Sequence, residues 1–258
     1  MTPLVVLAQD IGPKWLYWPW VQDHTDEIRQ RLVEHIELTV LAVLFGLIIA
    51  LPLALLSVRY RKLYGPVITV TGVLYTIPSL ALFALLLPLT GLSRTTALIP
   101  LTVYTLLILV RNTVTGLDGV PPDVKEAAVG MGYSRTRQLL RVELPLALPA
   151  IIAGIRIATV TTIGLVTITA YIGQGGLGQL MLDGFQRDFR TPLTVGVVLS
   201  LVLAVIADLL LVGAQRLATP WARAGRKRTR QSVPYRRRHS TIWSCGLCPM
   251  MTVAKRQV

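Results

Sequence analysis

The sequence lacks the residue patterns that mark most enzymes and nucleotide-binding proteins. It contains no G-x-x-x-x-G-K-[ST] phosphate-binding motif, and its three histidines are scattered at positions 24, 35 and 239, with no hydrolytic triad in view. Its two cysteines, Cys245 and Cys248, form a lone C-x-x-C with no second pair to complete a zinc site. We therefore expect no catalytic and no metal-binding residues in this chain, which argues against a membrane-embedded enzyme.

Acidic residues are also scarce, at 13 against 26 Lys and Arg, so the formal net charge is +13. A basic chain of this kind suggests a nucleic-acid partner, but charged residues make up only 15% of the chain and hydrophobic residues 53%. The mean hydropathy is positive, which separates the chain from ordinary soluble domains. The composition predicts a protein of the lipid bilayer, and the sorting of the basic residues by loop argues against a nucleic-acid partner.

Five apolar runs approach or exceed the roughly 20 residues that cross the hydrocarbon of a bilayer. They are residues 41–56, 66–89, 95–110, 146–170 and 192–214. Because backbone groups in lipid need internal partners and the runs are too evenly apolar for barrel strands, each is expected to be a helix. The predicted fold class is an all-α integral membrane protein with about five transmembrane helices.

The positions of the basic residues give these spans an orientation. Nineteen Lys and Arg fall in segments that five spans would place on one side, six fall on the other side, and Arg156 lies inside the fourth span. Under the positive-inside rule, the richer side is cytoplasmic. The N-terminus is therefore predicted outside, the C-terminus inside, and the protein in the cell (inner or plasma) membrane.

The chain divides into three predicted regions. Residues 1–31 form an external, interfacial segment, in which Trp15, Tyr17, Trp18 and Trp20 suit the headgroup level, and a surface helix from Asp23 is expected to lead into the membrane. The alternative for these aromatic rings is a docking surface for a partner. Residues 32–217 form the transmembrane domain, and residues 218–258 a basic, disordered tail. Met1 to Ala8 is not a convincing signal peptide.

The longest hydrophilic interruption is residues 111–145, between the third and fourth spans. Pro121 and Pro122 can open a helix, and Gly130 and Gly132 can end it. Within residues 111–145, Glu126-Ala127-Ala128 is followed after three residues by Gly132, after nine more by Val142, and then by Leu144-Pro145. This spacing resembles the pattern of permease subunits of bacterial ABC importers. The resemblance implies a cytoplasmic coupling helix that fits a groove on an ATPase subunit.

Three further stretches resemble the corresponding parts of permeases that transport quaternary amine osmoprotectants such as glycine betaine, carnitine and choline. They are residues 74–93, 142–158 and 168–181, and the resemblance covers roughly residues 32–217. Methionine-type importers share parts of the glycine-rich stretch, so a methionine-type or other small-solute ABC permease remains the alternative. The residues that contact the solute, and the choice of solute, do not follow from the sequence.

The glycine-rich stretch contains Gly173, Gly175, Gly176 and Gly178, at the predicted external end of the fourth span. No Lys-Ser or Lys-Thr follows it, and a nucleotide there would be on the wrong side of the membrane. These glycines are expected in a tight turn or gate where backbones pack closely. A direct contact with the solute is the alternative.

The resemblance also implies partners and cofactors. ATP and Mg are expected on separate ABC ATPase subunits, with none bound by this chain. An extracytoplasmic solute-binding protein and a second permease, either a copy or a paralogue, complete the expected importer, which would work by alternating access.

An ATP-independent secondary transporter is the competing class, but such proteins carry ionisable groups near the middle of the membrane, and few occur here. Arg156 and Asp208 are the two opposite charges well within the last two spans, and they are predicted to form an intramembrane ion pair. The alternative is that Arg156 snorkels to the headgroups while Asp208 meets water or another subunit.

Overall fold

The computed structural model of the protein describes residues 15–220, and this part of the chain is helical, without a β-strand. Its α-helices, named α1 to α10 in chain order, are Trp18–Asp23, Thr25–Arg59, Arg61–Thr76, Ser79–Thr90, Arg94–Asp118, Pro122–Gly130, Arg135–Gln138, Leu144–Val166, Leu177–Gln186 and Arg190–Ala218. A π-helical turn, Leu139–Glu143, joins α7 to α8, and a 3₁₀ turn, Thr167–Ile172, extends α8. The predicted all-helical class is confirmed.

Four stretches of residues 15–220 are long and apolar enough to cross a bilayer. They are α2, α5, the continuous rod Arg135–Ile172 and α10. The bent pair formed by α3 and α4 makes a fifth stretch when it is counted as one span. The predicted number of spans therefore holds, with one of the five built differently from the expectation.

The second span is broken, so the prediction of one helix over residues 66–89 is wrong. Helix α3 ends at Thr76, α4 begins at Ser79, and the two are bent by 91°. Ile77 precedes Pro78, whose ring disfavours the helical conformation of the residue before it, and Ile77 accordingly has an extended ψ of 128°. The Tyr104 hydroxyl donates a hydrogen bond to the Ile77 carbonyl, which compensates the helical hydrogen bond lost there.

The entry into the first span also differs from the expectation. A separate surface helix from Asp23 was predicted, but α2 runs without a break from Thr25 to Arg59. The aromatic residues before it pack partly on the chain itself: Trp20 stacks on His24 with ring centroids 4.4 Å apart. The Tyr17 N–H donates to Thr191 Oγ1 at 3.0 Å, so this segment is held against the start of α10.

Small residues bring α2, α5 and α8 close together to form the core. A Cβ added at Gly116 of α5 would lie 2.8 Å from the Cβ of Ala150 in α8, and one added at Gly154 would lie 2.6 Å from the Cβ of Asn112. Membrane helices that lack side-chain bulk at such points gain van der Waals contact between their backbones. Three clusters of buried apolar residues make up this core. The first contains Phe83 and Leu101, the second contains Leu109, and the third contains Leu117.

The bundle has two ends with different character. The α6 end carries α6, α7 and the π-helical turn, and the last residues of α2 and α5 lie there too. The α9 end carries the glycine-rich stretch, α9 and the first turns of α2. The predicted tail, 218–258, lies almost entirely outside the described residues, as do Cys245, Cys248 and Met1 to Ala8.

Candidate functional site

The predicted coupling helix is present as α6, and its boundaries follow from its own residues. Pro122 occupies the start of the helix, where its missing N–H costs nothing. Gly132 has a φ of +79°, a left-handed conformation that suits glycine, and its N–H bonds the Val129 carbonyl at 2.9 Å. The chain therefore turns back directly after α6 and enters α7, where Ser134 caps the helix by accepting from the Arg137 N–H.

One face of α6 points away from the bundle. Glu126 and Ala127 are exposed, as are Val129 and Met131, at 61% and 68%. Ala128 faces inward and is 1% exposed. Within residues 15–220 the Glu126 carboxylate has neither a hydrogen bond nor an ion pair. A carboxylate between small and apolar side chains is a surface that another protein can cover.

The remaining residues of the predicted motif lie at the start of the fourth span. Leu144 begins α8 and Pro145 occupies its first turn, so both are separated from α6 by α7 and the π-helical turn. Leu144 packs against the buried cluster of Leu117, Ala147 and Ile151 at the α6 end of the bundle. The motif residues thus lie partly on the exposed helix α6 and partly at the start of α8, within the rod Arg135–Ile172.

At the α9 end, the glycine-rich stretch is held by two side chains of α2. The Gly176 N–H donates to Glu34 Oε2 at 3.1 Å, and the Leu177 N–H donates to His35 Nδ1 at 3.2 Å. The other ring nitrogen, His35 Nε2, lies 3.0 Å from the Ile163 carbonyl and must be its donor. Both ring nitrogens of this fully buried histidine are therefore used by the neutral ring.

Sequence reasoning missed this role of His35. No local sequence pattern links His35 to Leu177, which lies 142 positions further along the chain. Helix α9, Leu177–Gln186, was also missed, because the preceding glycines suggested only a turn or a gate.

The four predicted glycines do not share one environment. A Cβ added at Gly178 would lie within 2.7 Å of the Thr167 carbonyl carbon, and one added at Gly176 would lie 3.3 Å from His35 Nδ1. At Gly175 an added Cβ would overlap the Glu34 carboxylate, whereas at Gly173 it would meet no atom within 4 Å. Close packing is thus a feature of Gly175, Gly176 and Gly178, and their role as a gate stays a prediction.

Gly178→Ala is expected to destabilise the protein, because the new methyl group would collide with backbone atoms of Thr167 rather than with a movable side chain. We expect the free energy of unfolding to fall by about 1–3 kcal/mol, the usual cost of overpacking. This loss should be measurable as a lower melting temperature in detergent. Gly164→Ala is the matched control, since a Cβ there meets nothing within 4 Å. Equal melting temperatures for the two variants would contradict the close packing at Gly178.

Arg156 and Asp208 are brought together by α8 and α10. Arg156 Nε and Nη2 donate to Asp208 Oδ1 and Oδ2, each at 2.9 Å, which is a bidentate pair. Gln215 approaches Arg156 Nη1 at 3.5 Å and donates to the Pro149 carbonyl at 3.2 Å. The pair lines an otherwise largely apolar open cleft of about 590 Å³ between the two helices.

Residues 15–220 contain no group of three or more His, Cys, Asp or Glu side chains that could hold a metal ion. What the geometry offers instead is a bundle of apolar spans with a short exposed helix at one end. A chain of this kind is a multi-pass membrane protein.

The family is shown by comparison of sequences. Residues 42–217 match the family described as "Binding-protein-dependent transport system inner membrane component", and this chain belongs to that family. It is 35% identical over 212 residues to the choline transport system permease protein OpuBB of Bacillus subtilis, covering 82% of this chain and 96% of that protein. It is 39% identical over 206 residues to the osmoprotectant import permease protein OsmW of Salmonella typhimurium, covering 78% and 96%.

Solved structures show the same fold. A chain of the MetNI methionine ABC transporter in an inward-facing conformation superposes with a TM-score of 0.66 at 24% identity, covering 74% of this chain and 96% of that chain. A chain of an amino acid ABC transporter with histidines gives a TM-score of 0.67 at 18% identity, covering 78% and 98%. The architecture described above is therefore shared with chains of these two ABC transporters.

Proposed function

We propose that this chain is the permease subunit of an ATP-driven importer that moves quaternary amine osmoprotectants, of the glycine betaine, carnitine and choline type, into the cell. The observation that carries the proposal is α6: a short helix at one end of the bundle that bears Glu126-Ala127-Ala128 of the motif, with an apolar outward face and a Glu126 carboxylate that has no partner within residues 15–220. Such a face suits contact with another protein, and the partner we assign to it is an ATPase subunit that binds ATP and Mg.

The mechanism we assign is alternating access by two permeases, either two copies or this chain and a paralogue. ATP can favour one arrangement only because the ATPase pair binds it with different affinity in its closed and open forms. Helix α6, seated on the ATPase, would carry that difference into the membrane bundle. An extracytoplasmic binding protein would deliver the solute at the α9 end.

The orientation that this function needs has the α6 end in the cytoplasm. Basic side chains near that end support it, since the positive-inside rule favours Lys and Arg on the cytoplasmic side. They include Arg59, Arg61, Lys62, Lys125, Arg135 and Arg137. The same orientation places the N-terminus and the glycine-rich stretch outside.

Cysteine labelling should verify this orientation. In a background with Cys245→Ser and Cys248→Ser, single cysteines at positions 92 and 187 should react with a membrane-impermeant maleimide on intact cells. Cysteines at positions 62 and 137 should react only after the membrane is permeabilised. All four native residues at these positions are exposed, so access is comparable. Labelling of 62 and 137 on intact cells would invert the orientation and place α6 out of reach of a cytoplasmic ATPase.

The solute class is proposed from the relatives, whose names specify choline, or osmoprotectants in general. In cells that depend on this importer for osmoprotection, uptake of radiolabelled glycine betaine should be reduced by excess unlabelled choline or carnitine and unaffected by methionine. Uptake of radiolabelled methionine, with no uptake of glycine betaine, would instead assign the chain to methionine transport.

A further inference from the structure

Lys125 is the residue of α6 that reaches back into the bundle. It directly precedes Glu126, but its side chain is largely covered, at 29% exposed. Its ammonium group donates to the Leu117 carbonyl at 3.2 Å, in the last turn of α5, and lies 3.5 Å from Glu143 Oε2. One cation therefore contacts the ends of two segments that continue into membrane spans.

Glu143 is the acidic partner of this cation, and it is unusually buried for a carboxylate. Its side chain is 10% exposed, and its second oxygen accepts from Gln138 Nε2 at 2.9 Å. Carboxylates are seldom buried unless they are paired, because the loss of hydration must be offset by a charge and by hydrogen bonds. The Lys125 ammonium and the Gln138 amide supply both.

The location of Glu143 gives the contact a mechanical consequence. It is the last residue of the π-helical turn Leu139–Glu143, directly before α8. Single π-helical turns occur often at functional sites. The rod from Arg135 to Ile172 is continuous across this turn, so a displacement at Glu143 is passed into the fourth span. The more extensive contacts of α6 with the bundle are those with α7 and the π-helical turn.

We infer that the Lys125–Glu143 ion pair is the joint through which α6 moves the fourth span, so that both are positioning residues for coupling rather than contacts of the ATPase. The inference rests on the proposed function of α6. The motif residue Glu126 faces outward and meets the partner, while its neighbour Lys125 faces inward and holds the bundle. Coupling then requires both faces of the same helical turn.

The test separates coupling from folding. The variants are Lys125→Met, Glu143→Gln and the double variant, each reconstituted with the ATPase and binding protein of the importer. The ratio of ATP hydrolysed to radiolabelled glycine betaine imported is measured beside thermal stability. We expect each single variant to raise this ratio by about fivefold or more, the lower range of known coupling factors. Lys125→Met should also lower stability, because it leaves the Glu143 carboxylate buried without its cation.

The double variant distinguishes a role of the ion pair in coupling from a role in stability alone. Replacing both members of a buried ion pair by uncharged residues of similar size is often neutral for stability. We therefore expect stability near that of the wild type together with a ratio that remains raised. Lys125→Arg, which keeps the cation, should restore most of the coupling. A double variant with the wild-type ratio would overturn the inference, and so would single variants whose ratio stays normal.

A matched control uses the ion pair Arg61–Asp118, which joins α3 to α5 at the same end of the bundle and whose two hydrogen bonds do not involve α6. Arg61→Met with Asp118→Asn should leave the ratio unchanged. An equal rise in this control would overturn the specific role of the joint. Failure of the wild-type complex to import solute with ATP would instead overturn the proposed function itself.

Discussion

Glu126→Lys is expected to abolish most solute uptake while leaving the protein in the membrane at normal abundance. The carboxylate is exposed and has no partner within residues 15–220, so its reversal should change stability by less than about 0.5 kcal/mol. If it forms a charge-assisted hydrogen bond with the ATPase, its loss costs about 1.5–3 kcal/mol, or roughly ten- to hundredfold in the strength of that contact. Uptake, ATPase activity and co-purification of the ATPase should be measured on the same membranes.

Glu126→Gln serves as the graded control for this experiment. The amide keeps the size of the side chain and one acceptor oxygen, so the effect should be intermediate. Normal uptake by Glu126→Lys, with the ATPase still bound and still stimulated by the loaded binding protein, would contradict the assignment of α6 as the coupling helix. Loss of the protein from the membrane would show that Glu126 contributes to folding or insertion, and this would contradict the account, in which the exposed Glu126 has no structural role.

Removing one partner of the Arg156–Asp208 pair is expected to destabilise the bundle more than removing both. Arg156→Met leaves Asp208 alone in an apolar cleft, and Asp208→Leu leaves Arg156 there. An unpaired charge near the centre of a membrane helix costs about 2.5–3.5 kcal/mol on insertion scales. Because both side chains lie within spans and line a largely apolar cleft, we expect the loss in each single variant to be of this order.

Membrane abundance and thermal stability of Arg156→Met, Asp208→Leu and the double variant form a double-mutant cycle. We expect the double variant to recover part of the stability lost in either single variant. Arg61→Met provides a comparison, since that exposed pair should contribute less than about 1 kcal/mol. Purely additive losses at Arg156 and Asp208 would show that the pair contributes nothing beyond its separate parts.

The spans could be predicted from sequence because each apolar run is long, but the break in the second span could not. Proline alone did not reveal it: Pro52, Pro100 and Pro149 lie inside continuous helices, whereas Pro78 separates two. The difference at Pro78 is tertiary, because the Tyr104 hydroxyl from another helix satisfies the Ile77 carbonyl. A sequence window around Pro78 does not contain that partner.

The same contrast holds for the candidate sites. Helix α6 was predictable because its proline start, its Glu126-Ala127-Ala128 segment and its glycine end all lie within residues 121–132. The Arg156–Asp208 pairing could be proposed because few charges occur in the spans. By contrast, the contacts of His35 and Glu34 with the glycine-rich stretch join residues 142 positions apart, and the Lys125–Glu143 contact depends on how α6 folds back. No local spacing encodes those contacts.

The most direct test of the whole account is uptake by proteoliposomes that contain this chain with its ATPase and binding protein. With hydrolysable ATP available to the ATPase, radiolabelled glycine betaine should accumulate inside the vesicles above its external concentration, in a manner that requires the binding protein. A non-hydrolysable ATP analogue should abolish accumulation. Equal accumulation without ATP, driven by an ion gradient, would contradict the account and identify a secondary transporter.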